Sequence, residues 1–194
     1  MFYHYPKSII THNYGECVFK KLKKYIFFII SEVKAIKITV LCVGKIKEKF
    51  FSQAVDEYLK RLSRYCKPEM IEVADEKTPD EASPHEEDLI RKKEGERLLK
   101  SLKDDAYVIA LAIDGKKTDS VGFAEIIDKL GIGGTSHITF IIGGSLGLCP
   151  EVISRADMKL SFSDMTFPHQ LMRVILLEQI YRAYRITNRE PYHK

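Results

Sequence analysis

The run Gly143-Gly144-Ser145-Leu146-Gly147 directly follows the apolar segment His137–Ile142. Glycines there let the main chain approach another group with no Cβ in the way. Two chemistries use such a turn. One is ligand binding, since ligands of an α/β sheet settle at the carboxyl ends of its strands. The motif is not G-x-G-x-x-G, so a dinucleotide site is poorly supported. The other is nucleophilic catalysis. The five residues fit G-x-S-x-G with Ser145 as nucleophile, and Asp157 or Asp164, then His169 or His193, follow in triad order. Three features oppose it: Pro150 puts the next helix start several residues after the serine, no HGGG-like oxyanion segment precedes it, and too little chain follows to complete a hydrolase sheet. A serine hydrolase is therefore the alternative reading.

Two further segments carry functional side chains. In Leu160–Gln170, LSFSDMTFPHQ, the hydroxyls of Ser161, Ser163 and Thr166 precede Pro168, which suits an early helix position. Unpaired N–H groups at that helix start would hold the polar edge of a ligand. Thr166 is the expected cap, and His169 reads as a structural histidine. The tail Arg189-Glu190-Pro191-Tyr192-His193-Lys194 would ordinarily be a frayed end. It nevertheless gathers cations, an aromatic ring and an imidazole, the groups that contact an RNA base and its phosphate. Arg173, Arg182 and Arg185 extend the positive surface along the preceding helix.

Alternating strands and helices must position these segments. KITVLCVG, Lys37–Gly44, is a β-branched run ended by glycine. Apolar residues at Phe51, Val55, Tyr58, Leu59 and Leu62 have helical spacing. Met70–Val73 reads as a second strand, Pro79 and Pro84 mark a loop, and Glu86–Leu102 is a charged helix with Leu89, Leu98 and Leu99 as its apolar stripe. Ala106–Gly115 and His137–Gly144 are central strands; between them Ser120 caps a helix ended by Gly131. Pro150 opens a short helix, Lys159–Phe162 is a fifth strand, and a last helix runs from Pro168 to about Thr187. The alternation predicts parallel pairing in a layered α/β domain. The last helix carries Leu171, Met172, Val174, Ile175, Leu176, Leu177, Ile180, Tyr181 and Tyr184, apolar on nearly every face, which predicts burial partly against a second copy.

Composition narrows the class. The 194 residues allow one domain with an appendage. Residues 1–35 hold six lysines and two acidic side chains, while residues 36–194 are electrically neutral. A neutral domain is no general nucleic-acid binder, so any RNA contact must be local and shape-dependent. Tyr25–Ile30 follows a lysine cluster but is too short for a signal core or a membrane span. Cys17, Cys42, Cys66 and Cys149 fit neither a zinc site nor a disulfide framework. These features predict a cytoplasmic protein with no metal and no membrane partner.

VIALAIDGKKTDS with FAE, then FIIGGSLGL, then LSFSDMTFPHQLMRVILLEQIYRAYRI ending in YHK, resemble the ribosomal RNA large subunit methyltransferase H family of the SPOUT superfamily. KITVLCVGKIKEKF, EVADEK and KEGERLL extend the resemblance over residues 37–194. It implies an α/β knot: a parallel sheet flanked by helices with a C-terminal trefoil knot. It also implies a homodimer that uses S-adenosyl-L-methionine to methylate N3 of a pseudouridine in 23S ribosomal RNA on the assembled ribosome. Cofactor contacts carry over to Leu111, Gly143, Gly144, Phe162, Ser163, Asp164, Met165, Thr166 and Phe167. Catalytic roles fall to His193 as proton acceptor or base orienter, Arg189 and Lys194 on phosphate or developing charge, and Tyr192 stacked on the base. The family pattern begins at Ile36. Residues 1–35 have no counterpart in it and are read as an extension, disordered or from a misassigned start, and Leu146 stands where relatives often carry a polar residue.

Overall fold

The computed structural model describes residues 35–192. Five strands, β1 (Lys37–Val43), β2 (Lys67–Val73), β3 (Tyr107–Lys117), β4 (His137–Ile142) and β5 (Met158–Ser161), form a sheet of order β2-β1-β4-β3-β5. Every pairing is parallel. The connecting helices are α1 (Lys49–Leu62), α2 (Pro84–Ser101), α3 (Ser120–Ile132), α4 (Pro150–Arg155) and α5 (His169–Thr187). This is the parallel α/β sheet flanked by helices that the alternation predicts. Among the described residues no helix is long and apolar enough to cross a membrane, and no cluster of three or more His, Cys, Asp or Glu side chains is placed to hold a metal.

The two-residue period of the strands sorts their side chains into two cores. Ile38, Val40 and Cys42 of β1 and Ile138, Phe140 and Ile142 of β4 pack with α1, α3 and α5. Leu41 and Val43, with Ile141, pack against Leu98 of α2 and Val152 of α4. Helix α5 lies between α1 and α3, and Leu176, Leu177 and Ile180 are fully buried within one chain. Leu171, Met172, Val174 and Ile175, on the rest of its circumference, are half-buried.

Local chemistry explains where the element boundaries depart from expectation. β2 begins at Lys67 and includes Pro68, tolerated because β2 is an edge strand with one ladder to satisfy. Pro84 opens α2 instead of marking a loop, behind a capping box between Ser83 and Glu86. The buried stripe of α2 is Ile90, Glu94, Gly95 and Leu98, and Leu89 points outward. Asp119, not Ser120, caps α3 by accepting from the Gly122 N–H; the Ser120 hydroxyl instead donates to Gln179. Helix α3 continues past Gly131 to Ile132. Thr166 caps nothing: the residue before α5 is Pro168, and no side chain caps that helix.

The start of α5 is fixed to the strand ends. The Arg173 guanidinium, 1% exposed, donates to the carbonyls of Val43 and Gly44 at 2.8 and 2.9 Å and pairs with Glu72 at 2.6 Å. One turn earlier, Gln170 Oε1 accepts from the N–H groups of Lys47 and Glu48 at 2.8 and 3.2 Å. A buried guanidinium without its counter-charge is costly, whereas Glu72, nearer the surface, can turn to water. Glu72→Gln should therefore cost about 3–5 kcal/mol in urea unfolding, and Arg173→Met, which also strips the Val43 and Gly44 carbonyls of their donor, at least as much. A negligible cost for either would show that the pair is not what anchors the helix.

Candidate functional site

At the carboxyl ends of β3, β4 and β5 lies a cleft of about 680 Å³, within the usual size range for small-molecule sites. Three chain segments shape it. From β3 come Leu111, Ala112 and Ile113; after β4 comes the glycine turn, Gly143–Gly147; after β5 come Phe162, Ser163 and Met165–Phe167. The first residues of α5, His169 with Met172, close the remaining side.

Each segment has a local cause. β3 pairs with β5 twice, through Leu111 and again through Lys116, both opposite Leu160. The intervening residues bulge out, which carries Ala112 and Ile113 to the cleft. Gly115 makes the bulge possible, because a Cβ there would sit 2.6 Å from the Leu160 carbonyl carbon. In the glycine turn, the Gly147 N–H bonds back to the Gly144 carbonyl at 3.1 Å. Gly147 has φ +82°, and a Cβ on Gly143 would lie 2.7 Å from the Gly147 carbonyl oxygen. Gly143 is thus required by the turn closing on itself. After β5, the Ser163 hydroxyl accepts from the Met165 N–H at 2.9 Å and bends the loop toward α5. Because no side chain caps α5, its first N–H groups are unpaired by side chains beside the cleft.

Of the expected cofactor residues, Leu111, Gly143, Gly144, Phe162, Ser163, Met165, Thr166 and Phe167 line this cleft. Asp164 does not; it faces outward in an ion pair with Lys117 at 2.5 Å. Ile113 and Met165, 58% and 70% exposed, form an apolar mouth. Ser145 is exposed, and its hydroxyl meets that of Thr78 at 3.4 Å. The acids a hydrolase would need are engaged elsewhere: Asp164 with Lys117, and Asp157 with the Val108 N–H at 2.7 Å, at the opposite end of β5.

The tail is brought to a different place. His193 and Lys194 lie outside the described residues. Arg189, exposed and with φ 55°, follows the end of α5, and neither it nor Tyr192 lines the cleft. The tail is docked as far as Tyr192. Glu190 accepts from the Tyr65 hydroxyl at 2.6 Å and pairs with Arg185 at 2.6 Å. The Tyr192 ring meets Tyr181 edge-on at 5.1 Å, beneath the Arg182 guanidinium at 4.9 Å. Its hydroxyl is pushed up to about 12, first by burial and then by neighbouring Tyr58 and Glu178, so it stays protonated.

One residue of the site reads as structural in the sequence, and a second leaves little trace there. His169 lines the cleft, and burial, then Arg173, hold its pKa below the ordinary histidine range, so the ring is neutral near neutral pH. Its neighbour Pro168 was the available signal, since it puts the imidazole on the first turn of a helix beside the loop. Glu94 is the second. It is 4% exposed and lies directly behind Gly144. The adjacent Gly95, a glycine inside a helix, is the trace it leaves in the sequence: a Cβ there would strike the Cys149 Sγ, so α2 is pressed against the start of α4.

Residues 36–193 match the family model described as Predicted SPOUT methyltransferase. The ribosomal RNA large subunit methyltransferase H of Bifidobacterium adolescentis is 63% identical over 158 residues, covering 81% of this chain and 99% of that protein. The protein of that name from Clostridium novyi is 60% identical over 157 residues, with the same coverage. Among solved structures, a probable methylase family protein from Haemophilus influenzae Rd KW20 aligns with a TM-score of 0.46 at 12% identity, covering 84% of this chain and 71% of that one. Through residues 36–193, the chain belongs to the SPOUT methyltransferase family.

Proposed function

We propose that residues 36–194 transfer a methyl group from S-adenosyl-L-methionine to N3 of a pseudouridine in large-subunit ribosomal RNA, acting in the cytoplasm on the assembled ribosome. The observation that carries this reading is the cleft itself. Turn, loop and bulge from three parallel strands converge on one space in a chain whose relatives are named ribosomal RNA methyltransferases. The lining fits the cofactor. Phe162, Phe167, Leu111 and Met165 offer apolar walls to an adenine ring, and backbone of Gly143–Gly147 and the uncapped start of α5 offer polar partners. The cofactor, when bound, supplies a methyl group on a positively charged sulfur. The same reading takes the segment from β4 to α5 as the knotted part of the chain; the glycine turn and the loop after β5, neighbours across one cleft, support it.

The tail requires a second copy. Helix α5 has 19 residues, so its two ends lie roughly 27 Å apart at 1.5 Å per residue. His169 stands at the cleft end and Arg189 at the other, and Tyr192 turns back only as far as the middle of the helix, beside Glu178 and Tyr181. A homodimer that lays one chain's tail across the other's cleft completes the site. In it, His193 accepts or directs the N3 proton, Arg189 and Lys194 hold phosphate or the developing base charge, and Tyr192 keeps the tail seated on α5. The neutral charge of residues 36–194 suits recognition of a structured ribosomal surface over general binding to RNA. Residues 1–35 take no part in this proposal.

Calorimetry tests the cofactor: purified protein should bind S-adenosyl-L-methionine and not NAD, and Gly143→Val should lose that binding because its side chain breaks the turn. Absence of cofactor binding in the parent protein would refute the reading. The tail is tested by methylation of ribosomes. Deleting residues 189–194 should leave cofactor affinity intact and abolish methylation, and His193→Ala should lower the rate at saturating ribosomes by roughly 100-fold. If His193→Ala is unimpaired while His169→Ala fails, the neutral imidazole inside the cleft takes the proton instead.

A further inference from the structure

Glu94 is a carboxylate with half of its hydrogen bonding missing. Oε1 accepts from the Glu76 N–H at 3.0 Å. Oε2 is buried and has no partner. That oxygen lies 2.5 Å from the point where a Cβ on Gly144 would stand, so one residue of backbone separates it from the cleft. A buried polar atom left unpaired costs free energy, and a charged one more. The cation nearest to hand is committed elsewhere: Arg97 donates to the Ala74 carbonyl at 2.9 Å and pairs with the Glu76 carboxylate. The negative charge behind the glycine turn is therefore not neutralised by a direct side-chain contact.

The cofactor of the proposed function and its product differ in one respect that such a charge can read. The methyl donor carries a positive sulfonium, and S-adenosylhomocysteine carries a neutral thioether. We infer that Glu94 is a specificity-determining residue of this site: its carboxylate, acting through the thin backbone of Gly144, favours the cationic methyl donor over the neutral product. The inference rests on the methyltransferase reading. Low dielectric strengthens such an interaction, because little water stands between Oε2 and the cleft to screen it. Loss of the sulfonium charge on methyl transfer then weakens the hold on the product, which helps turnover.

The surroundings give the effect a pH dependence. Burial, as the largest influence, raises the Glu94 pKa; the Glu76 N–H and Arg97 lower it, and Asp75 and the Glu76 carboxylate raise it. These groups come from α2 and from the loop after β2. The turn itself contributes Ser145, and Cys149 lies behind neighbouring Gly95. A raised carboxyl is neutral at low pH and charged above its pKa, so the preference for the cation is present at high pH and fades as pH falls.

The experiment is calorimetric titration of the full chain with S-adenosyl-L-methionine and, separately, with S-adenosylhomocysteine. Glu94→Gln keeps an oxygen for the Glu76 N–H and removes the charge. Its donor-over-product affinity ratio should fall roughly tenfold from the parent value, chiefly through weaker donor binding. In the parent protein the ratio should decline as pH falls, and in Glu94→Gln it should be flat. The parent titration stands as a test even if the variant folds poorly. Equal weakening of both ligands in the variant, or a parent ratio independent of pH, would reduce Glu94 to a structural support and overturn the inference while leaving the methyltransferase reading intact. No donor binding by the parent protein would remove both.

Discussion

The burial of Arg173 is the constraint from which the rest of the site follows. A parallel sheet ends in a row of carbonyls with no further strand to bond them, and such groups need partners when they are buried. At the end of β1 the partner is a guanidinium from the last helix, reaching Val43 and Gly44 with one edge and Glu72 with the other. Arginine suits this task because its planar donors serve several acceptors at once. The consequence is positional. Once Arg173 is seated, the first turn of α5 has no freedom along the sheet, and His169 and Met172 take their places in the cleft wall. Gln170 repeats the arrangement one turn earlier on the loop leaving β1.

The same helix sets the limits of a single chain. Its middle is consumed by the core between α1 and α3, its beginning belongs to the cleft, and its end carries the docked tail. A rigid helix cannot bring its two ends together. The start of the helix and its last turn therefore belong to different parts of the chain's surface, while Leu177 and Tyr181 between them are core residues that would unfold the chain if charged.

Much of the architecture was legible because the strands are chemically uniform. KITVLCV and HITFII are buried on both faces and read as β-branched, largely apolar runs. The cleft loops were legible because they follow such runs and contain glycine or hydroxyl residues. What sequence could not show depends on contacts between distant segments. Helix α2 looks like a solvated, charged helix, and nothing in its pattern distinguishes Glu94, which is buried, from Glu96, which is exposed. Asp164 sits amid the cofactor loop in sequence yet pairs with Lys117, where the Ser163 hydroxyl turns the loop by holding the Met165 N–H. Thr166 looked like a helix cap, but the rigid ring of Pro168 already sets the chain's entry to α5.

The glycine turn shows why its motif misled toward hydrolase chemistry. A nucleophile elbow needs its serine at the tip of a strained strand-to-helix turn, aimed at an oxyanion hole. Here the strain is spent differently. Gly143 is held by the Gly147 carbonyl, Gly144 by Glu94, and Gly147 by its own left-handed backbone. Each glycine answers a separate steric demand, and together they press five residues of main chain flat between α2 and the cleft. Ser145 is the outward corner of that fold, its hydroxyl toward Thr78 and the solvent. With three glycines in five residues, a turn built this way offers much backbone to the cleft, beside Ser145 and Leu146. That suits holding a ligand while the reacting group comes from elsewhere.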